Sequence, residues 1–180
     1  MRTILTLHPD GRCAAVSAIK AEAQRREAGV LSLRYLVTGA MEGLVLPPPA
    51  AATRTDELWR HSCFEAFVGT PDVAGYAEVN LAPSGQWAAY RFDGYRQGMA
   101  PLEPFAPPAI ATKVTDRGLE LSARLRLDEI AGRPWRLGLS AVIEEVGGQV
   151  SYWAVAHPAG RPDFHHRDGF ALDLPWTGRP

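Results

Sequence analysis

The chain has 180 residues, the size of one domain with a single core, and its 46% hydrophobic and 22% charged residues are ordinary for a globular protein. Nineteen Lys and Arg against twenty Asp and Glu leave a net charge of -1. No bulk field therefore draws in phosphate backbones or anionic lipid, and neither nucleic acid nor a membrane is an expected partner. Thr3, Thr6 and His8 make the first ten residues too polar for a signal peptide, and no apolar run reaches membrane-spanning length, so the expected location is cytoplasmic. Cys13 and Cys63 read as two buried thiols rather than a disulfide framework, with a bridge between them left open.

Seventeen glycines and fifteen prolines cut the chain into pieces too short for long helices. Cys13 to Ala28 favours helix by propensity, but Ser17, Ile19, Ala21 and Ala23 alternate with polar neighbours, and the segment is read as a strand. From Val30 to Thr38, Leu31, Leu33, Tyr35 and Val37 share one face, the period-two mark of a half-buried strand. Pro47-Pro48-Pro49 cannot join a ladder and reads as a surface connection.

Ser62 to Val68 follows as a strand, and Tyr76 to Leu81 pairs with Trp87 to Phe92 around the Ala82-Pro83-Ser84-Gly85 turn. Leu119 to Leu125 alternates again. Arg136 to Glu144 and Val150 to Ala156 form a hairpin through Gly147-Gly148, and Phe170 to Leu174 is a short last strand. The expected fold is all-β, one domain over residues 1–180, an antiparallel sandwich of about eight to ten strands with little helix.

Asp56-Glu57-Leu58-Trp59-Arg60-His61-Ser62-Cys63-Phe64-Glu65-Ala66-Phe67-Val68 and Tyr76-Ala77-Glu78-Val79-Asn80-Leu81-Ala82-Pro83-Ser84-Gly85-Gln86-Trp87 carry a resemblance. It continues at Tyr90-Arg91-Phe92, Gly94-Tyr95-Arg96, Tyr152-Trp153-Ala154, His157-Pro158 and Pro162-Asp163-Phe164-His165-His166. Over most of the chain from about residue 30, the sequence resembles the DOMON-like proteins related to family-9 carbohydrate-binding modules. The resemblance implies a jelly-roll-like β-sandwich, of a kind that binds sugars or haem in better-known relatives. It does not fix one function.

Trp59, Arg60, Glu65, Glu78, Asn80, Trp87, Tyr90 and Arg91 form the candidate ligand-binding set. Aromatic faces pack on sugar C–H surfaces, while carboxylates, amides and guanidinium groups satisfy hydroxyls. Glu78 and Asn80, two apart on a strand, point the same way, and pairing with the Phe67 strand would add Glu65 and Arg91 to that face, with Trp59, Trp87 or Tyr90 at the rim. The competing reading is a buried network in which Arg60 or Arg91 neutralises Glu65 and Glu78. A glycosidase pair is the weaker use of the same carboxylates, since its spacing cannot be read from sequence.

His157, Asp163, His165, His166 and Asp168 are dense enough to raise zinc, with a polar loop bonded to its own backbone as the preferred alternative; no metal is expected. Haem would need an iron ligand such as Met99, for which spacing names no partner. Trp135, Trp153 and Trp176 are assigned to core or rim. No nucleophile elbow, phosphate loop or Cys-x-x-Cys occurs. The sequence thus points to a non-catalytic binding module for a carbohydrate or similar small polar ligand, with no cofactor. The alternatives are a haem-binding or electron-transfer domain and a protein-interaction subunit.

Overall fold

The computed structural model describes residues 1–176. Twelve strands carry the fold: β1 (Arg2–Leu7), β2 (Val16–Glu27), β3 (Val30–Gly39), β4 (Cys63–Gly69), β5 (Tyr76–Leu81), β6 (Trp87–Phe92), β7 (Ala100–Pro101), β8 (Ala109–Thr115), β9 (Gly118–Arg126), β10 (Trp135–Glu144), β11 (Val150–Ala154) and β12 (Leu172–Leu174). Among the described residues helix is confined to four three-residue 3-10 turns. Cys13 and Cys63 are free thiols, Cys63 buried and Cys13 half-buried.

All strand pairs are antiparallel, in the order β7-β6-β5-β4-β10-β11-β1-β2-β3-β9-β8, with β12 on β10 beside β11. The sheet curls at β1. Arg2 to Leu5 of β1 pair with β2, whereas Thr6 and Leu7 pair with β11. The first layer holds β2, β3, β9 and β8; the second holds β4 to β7 and β10 to β12. The expected strand through residues 13–28 forms as β2. The additional strands are β1, the two-residue β7, and β8, whose exposure on nearly every residue leaves no alternation to read.

The core lies between the layers. Ile19, Leu31, Leu33, Tyr35 and Leu121 meet Phe64, Ala66, Val79, Leu81 and Leu139 there. Tyr35 donates to the Glu65 carbonyl oxygen at 2.7 Å and packs on Phe64 with ring centres 4.9 Å apart, pinning one layer to the other. Trp135 and Trp153 belong to this core; Trp176 is half-buried beside Arg25. The β10–β11 turn uses Gly147 and Gly148 at φ of 108° and 85°, a region costly for any side chain.

The outer face of the second layer is covered as well, so every residue of β4 and β5 is buried. Phe67, Tyr76, Tyr90, Phe92 and Phe170 form a second apolar cluster there, with Leu58, Trp59 and Phe164 against it. Gly138 of β10 lets the covering segment land: a Cβ at that position would meet the Gly169 carbonyl oxygen at 3.0 Å and the Phe170 ring at 3.1 Å.

Candidate functional site

Residues directly opposite in an antiparallel ladder share a face. Glu65 stands opposite Asn80 and Ser140, Phe67 opposite Glu78, and Glu78 opposite Tyr90. Glu65, Glu78, Asn80 and Tyr90 are therefore together on the covered outer face. Trp87 is opposite Leu81 and Arg91 opposite Ala77, which puts both on the other side of β6.

That register corrects two of the expected site residues. Trp87 lies in the interlayer core, 5.5 Å from Phe105 between ring centres. Arg91 reaches outward to Asp93 at 2.9 Å. Arg60 is also elsewhere, paired with Glu57 at 2.8 Å on the surface. Neither Arg60 nor Arg91 neutralises Glu65 or Glu78, so the buried network does not have the form expected for it. Trp59 does reach the site, edge-on to Tyr90 at 6.0 Å, and the Tyr90 hydroxyl donates to Asp56 at 2.7 Å.

The structure opens a concavity of about 360 Å³ over this face. Glu65, Glu78 and Phe67 contribute from the strands; Trp59, Phe92, Tyr152 and Phe164 supply rings; Arg96, Met99 and His165 come from loops. Among the described residues two non-glycine residues have left-handed backbone, Glu57 at φ 62° and Arg96 at φ 53°. Glu57 leads into the 3-10 turn that carries Trp59, and Arg96 lines the concavity. Each such conformation costs about 1 kcal/mol or more and persists only where surrounding structure holds it.

The polar groups are sparsely satisfied. Ser140 donates to Glu65 Oε2 at 3.2 Å, and Asn80 Nδ2 donates to Glu78 Oε1 at 2.8 Å. Asn80 Oδ1 is buried and has no hydrogen-bond partner. Burial pushes the Glu65 carboxyl well above its ordinary range, with the charge of Glu78 adding to the shift. Burial raises Glu78 too, against the hydrogen bond from Asn80 and the field of Arg96.

Above the carboxyls sits His165. Its ring meets Phe67 and Phe92 edge-on at 5.1 and 5.0 Å, and burial, reinforced by Arg96, lowers its pKa to about 4. The Tyr76 hydroxyl accepts from the Arg96 backbone N–H at 3.3 Å and lies 2.8 Å from His165 Nδ1. His165 Nε2 lies 3.8 Å from Glu78 Oε2. Arg96 donates to Asp163 at 2.8 Å, and Tyr95 donates to the other Asp163 oxygen.

His165 thus joins the carboxyls rather than a metal set. His157 Nε2 is 2.8 Å from the Thr6 carbonyl oxygen, Asp163 holds Arg96, and Asp168 lies beside His166. Among the described residues no three His, Cys, Asp or Glu side chains are grouped to hold a metal ion. Sequence reasoning missed Phe92 and Tyr152, although each is legible by alternation, Phe92 with Tyr90 and Tyr152 against the core-facing Trp153. Arg96, Met99 and Phe164 lie on irregular segments with no periodic signal.

No family model matches the chain, and no curated protein matches its sequence. Solved structures do. A Bacteroides uniformis protein provisionally named as carbohydrate-binding shares the fold with a TM-score of 0.67 at 12% identity, over 93% of this chain and 83% of that one. A family-9 carbohydrate-binding module from Caldicellulosiruptor kristjanssonii, in complex with cellotriose, gives a TM-score of 0.53 at 14% identity, over 89% of this chain and 74% of that one. The likeness is one of fold: the chain is a β-sandwich similar to that of family-9 modules.

Proposed function

We propose that this chain is a non-catalytic module that binds a carbohydrate or similar small polar ligand in the concavity, as a DOMON-like relative of family-9 modules. The observation that carries the reading is a buried floor of Glu65 and Glu78 facing a chamber walled by Trp59, Phe92, Tyr152 and Phe164. Rings offer flat apolar surface to the C–H face of a sugar, and the carboxyls offer acceptors, or donors when protonated, to its hydroxyls. The fold shared with a module crystallised with cellotriose supports it.

The carboxyl pair is a poor hydrolase. Glycoside cleavage needs one group kept as acid and the other kept ionised, with environments that push their pKa values apart. Burial shifts Glu65 and Glu78 in the same direction rather than apart. The haem alternative is disfavoured by His165, whose Nδ1 is bonded to Tyr76 and whose Nε2 faces Glu78. A broad glycan and metabolite screen followed by calorimetry tests the reading. A sugar should bind, and Trp59→Ala should weaken it at least tenfold with an unchanged far-UV circular dichroism spectrum. No bound sugar, or a visible haem band in the purified protein, would overturn it.

A further inference from the structure

Each carboxyl in the concavity spends only one oxygen on a protein hydrogen bond. Glu65 accepts from Ser140 through Oε2, and Glu78 accepts from Asn80 through Oε1. Among the described residues nothing donates to Glu65 Oε1, and His165 Nε2 at 3.8 Å is too far to hydrogen-bond Glu78 Oε2. Glu65 is only 2% exposed yet lines the chamber, so its open oxygen faces the space a ligand would fill. Both open oxygens can therefore be reached by a ligand without breaking a protein hydrogen bond, and Asn80 Oδ1 beside them is buried with no partner.

Among the described residues no Lys or Arg pairs with either carboxyl, although the field of Arg96 reaches Glu78. Arg96, the one guanidinium on the lining, is already committed to Asp163, and Arg60 and Arg91 pair with Glu57 and Asp93. An anionic ligand would meet two carboxyls and, among the described residues of the lining, one guanidinium already bound to Asp163. A cation would meet two open carboxyl oxygens and the rings of Trp59, Phe92, Tyr152 and Phe164, the surroundings in which an ammonium is held by both ion pairing and ring faces. We infer that the ligand of this site carries an ammonium group, as an amino sugar does, placed between the open oxygens of Glu65 and Glu78 and the surrounding rings.

This inference rests on the carbohydrate reading and narrows it. Burial raises both carboxyls above their ordinary range and a bound cation lowers them, so binding releases protons to the buffer at any pH where the empty site still holds them. The test is calorimetry with D-glucosamine, D-glucose and N-acetyl-D-glucosamine, repeated in two buffers of different ionisation enthalpy. Glucosamine should bind at least tenfold tighter than the two neutral sugars, with a heat that depends on the buffer. Glu65→Gln and Glu78→Gln keep an acceptor for Ser140 and Asn80, so both should fold, and each should abolish the preference while leaving the melting temperature no lower than that of the parent. Equal binding of all three sugars would overturn the ammonium inference and leave the carbohydrate reading standing. No binding by any of them would overturn the inference, and the glycan screen then decides separately whether the broader reading falls with it.

Discussion

The outer faces of the two layers are written in the same alternating pattern and meet opposite fates. On the first layer, Arg34 of β3 holds Glu120 of β9 through two hydrogen bonds of 2.8 and 2.9 Å at half-exposed positions. On the second layer, Glu65 and Glu78 occupy the equivalent outward positions of β4 and β5 but are covered by loops and, among the described residues, paired with no arginine. The carboxyls respond in opposite directions. The hydrogen bond from Arg34 lowers the Glu120 pKa, whereas burial raises that of Glu65. Alternation decides which side chains share a face; what lies over the face decides whether a charge there is a solvated ornament or a constrained group.

Asn80 offers the largest break in this contrast. It is fully buried, and Asn80→Ala would leave Glu78 Oε1 without its donor, so stability should fall by about 1–3 kcal/mol in urea unfolding. A change below about 0.5 kcal/mol would mean that this face is wetted like that of the first layer.

Glu65→Gln sharpens the contrast through pH. Above the ordinary carboxyl value of 4.5 the unfolded chain ionises Glu65 while the folded chain holds its proton, so parent stability falls as pH rises toward the raised folded value. His165 has the opposite sign: its folded pKa is lowered from 6.5 to about 4, and the stability it contributes above 6.5 is lost as pH falls through that window. His165 is common to both proteins, so its window cancels when the two are compared. The melting temperature of Glu65→Gln should be at or above that of the parent, by a margin that grows as pH rises above 4.5 until folded Glu65 itself ionises. A margin that shrinks on going alkaline would show that Glu65 is not a protonated buried acid.

Arg34→Ala should have the smallest effect, with no measurable change of melting temperature at physiological salt, because the pair it breaks is solvated and screened. A clear drop would show that the two faces differ less than their burial implies.

Most of the fold was legible because β3, β4, β5, β9 and β10 carry strong period-two or apolar patterns bounded by turns. β8 was not, since an edge strand exposed along nearly all its length needs no apolar side. The Glu65, Glu78 and Asn80 face was legible for the same reason as the strands. Trp87 and Arg91 were misplaced because the register across the Ala82-to-Gln86 turn, which sets Tyr90 opposite Glu78, is fixed by pairing and not by composition. His165 was grouped with its sequence neighbours, whereas the path of the loop carries it onto Phe67 and Tyr76.

The division of β1 between the layers bears on how the molecule assembles. The β2–β3 hairpin joins neighbours in sequence and can form early, but Thr6 hydrogen-bonds to Ala154 across a separation of 148 residues. Closing so long a loop sacrifices chain entropy before any contact compensates it, which places seam closure among the slow steps of a β protein, in the range of about milliseconds to seconds. The segment that roofs the concavity leaves the sheet directly after β11. That strand is held along Ser140 to Glu144 of β10 as well as by β1, so the roof hangs from an edge that a local hairpin fixes and the distant seam completes.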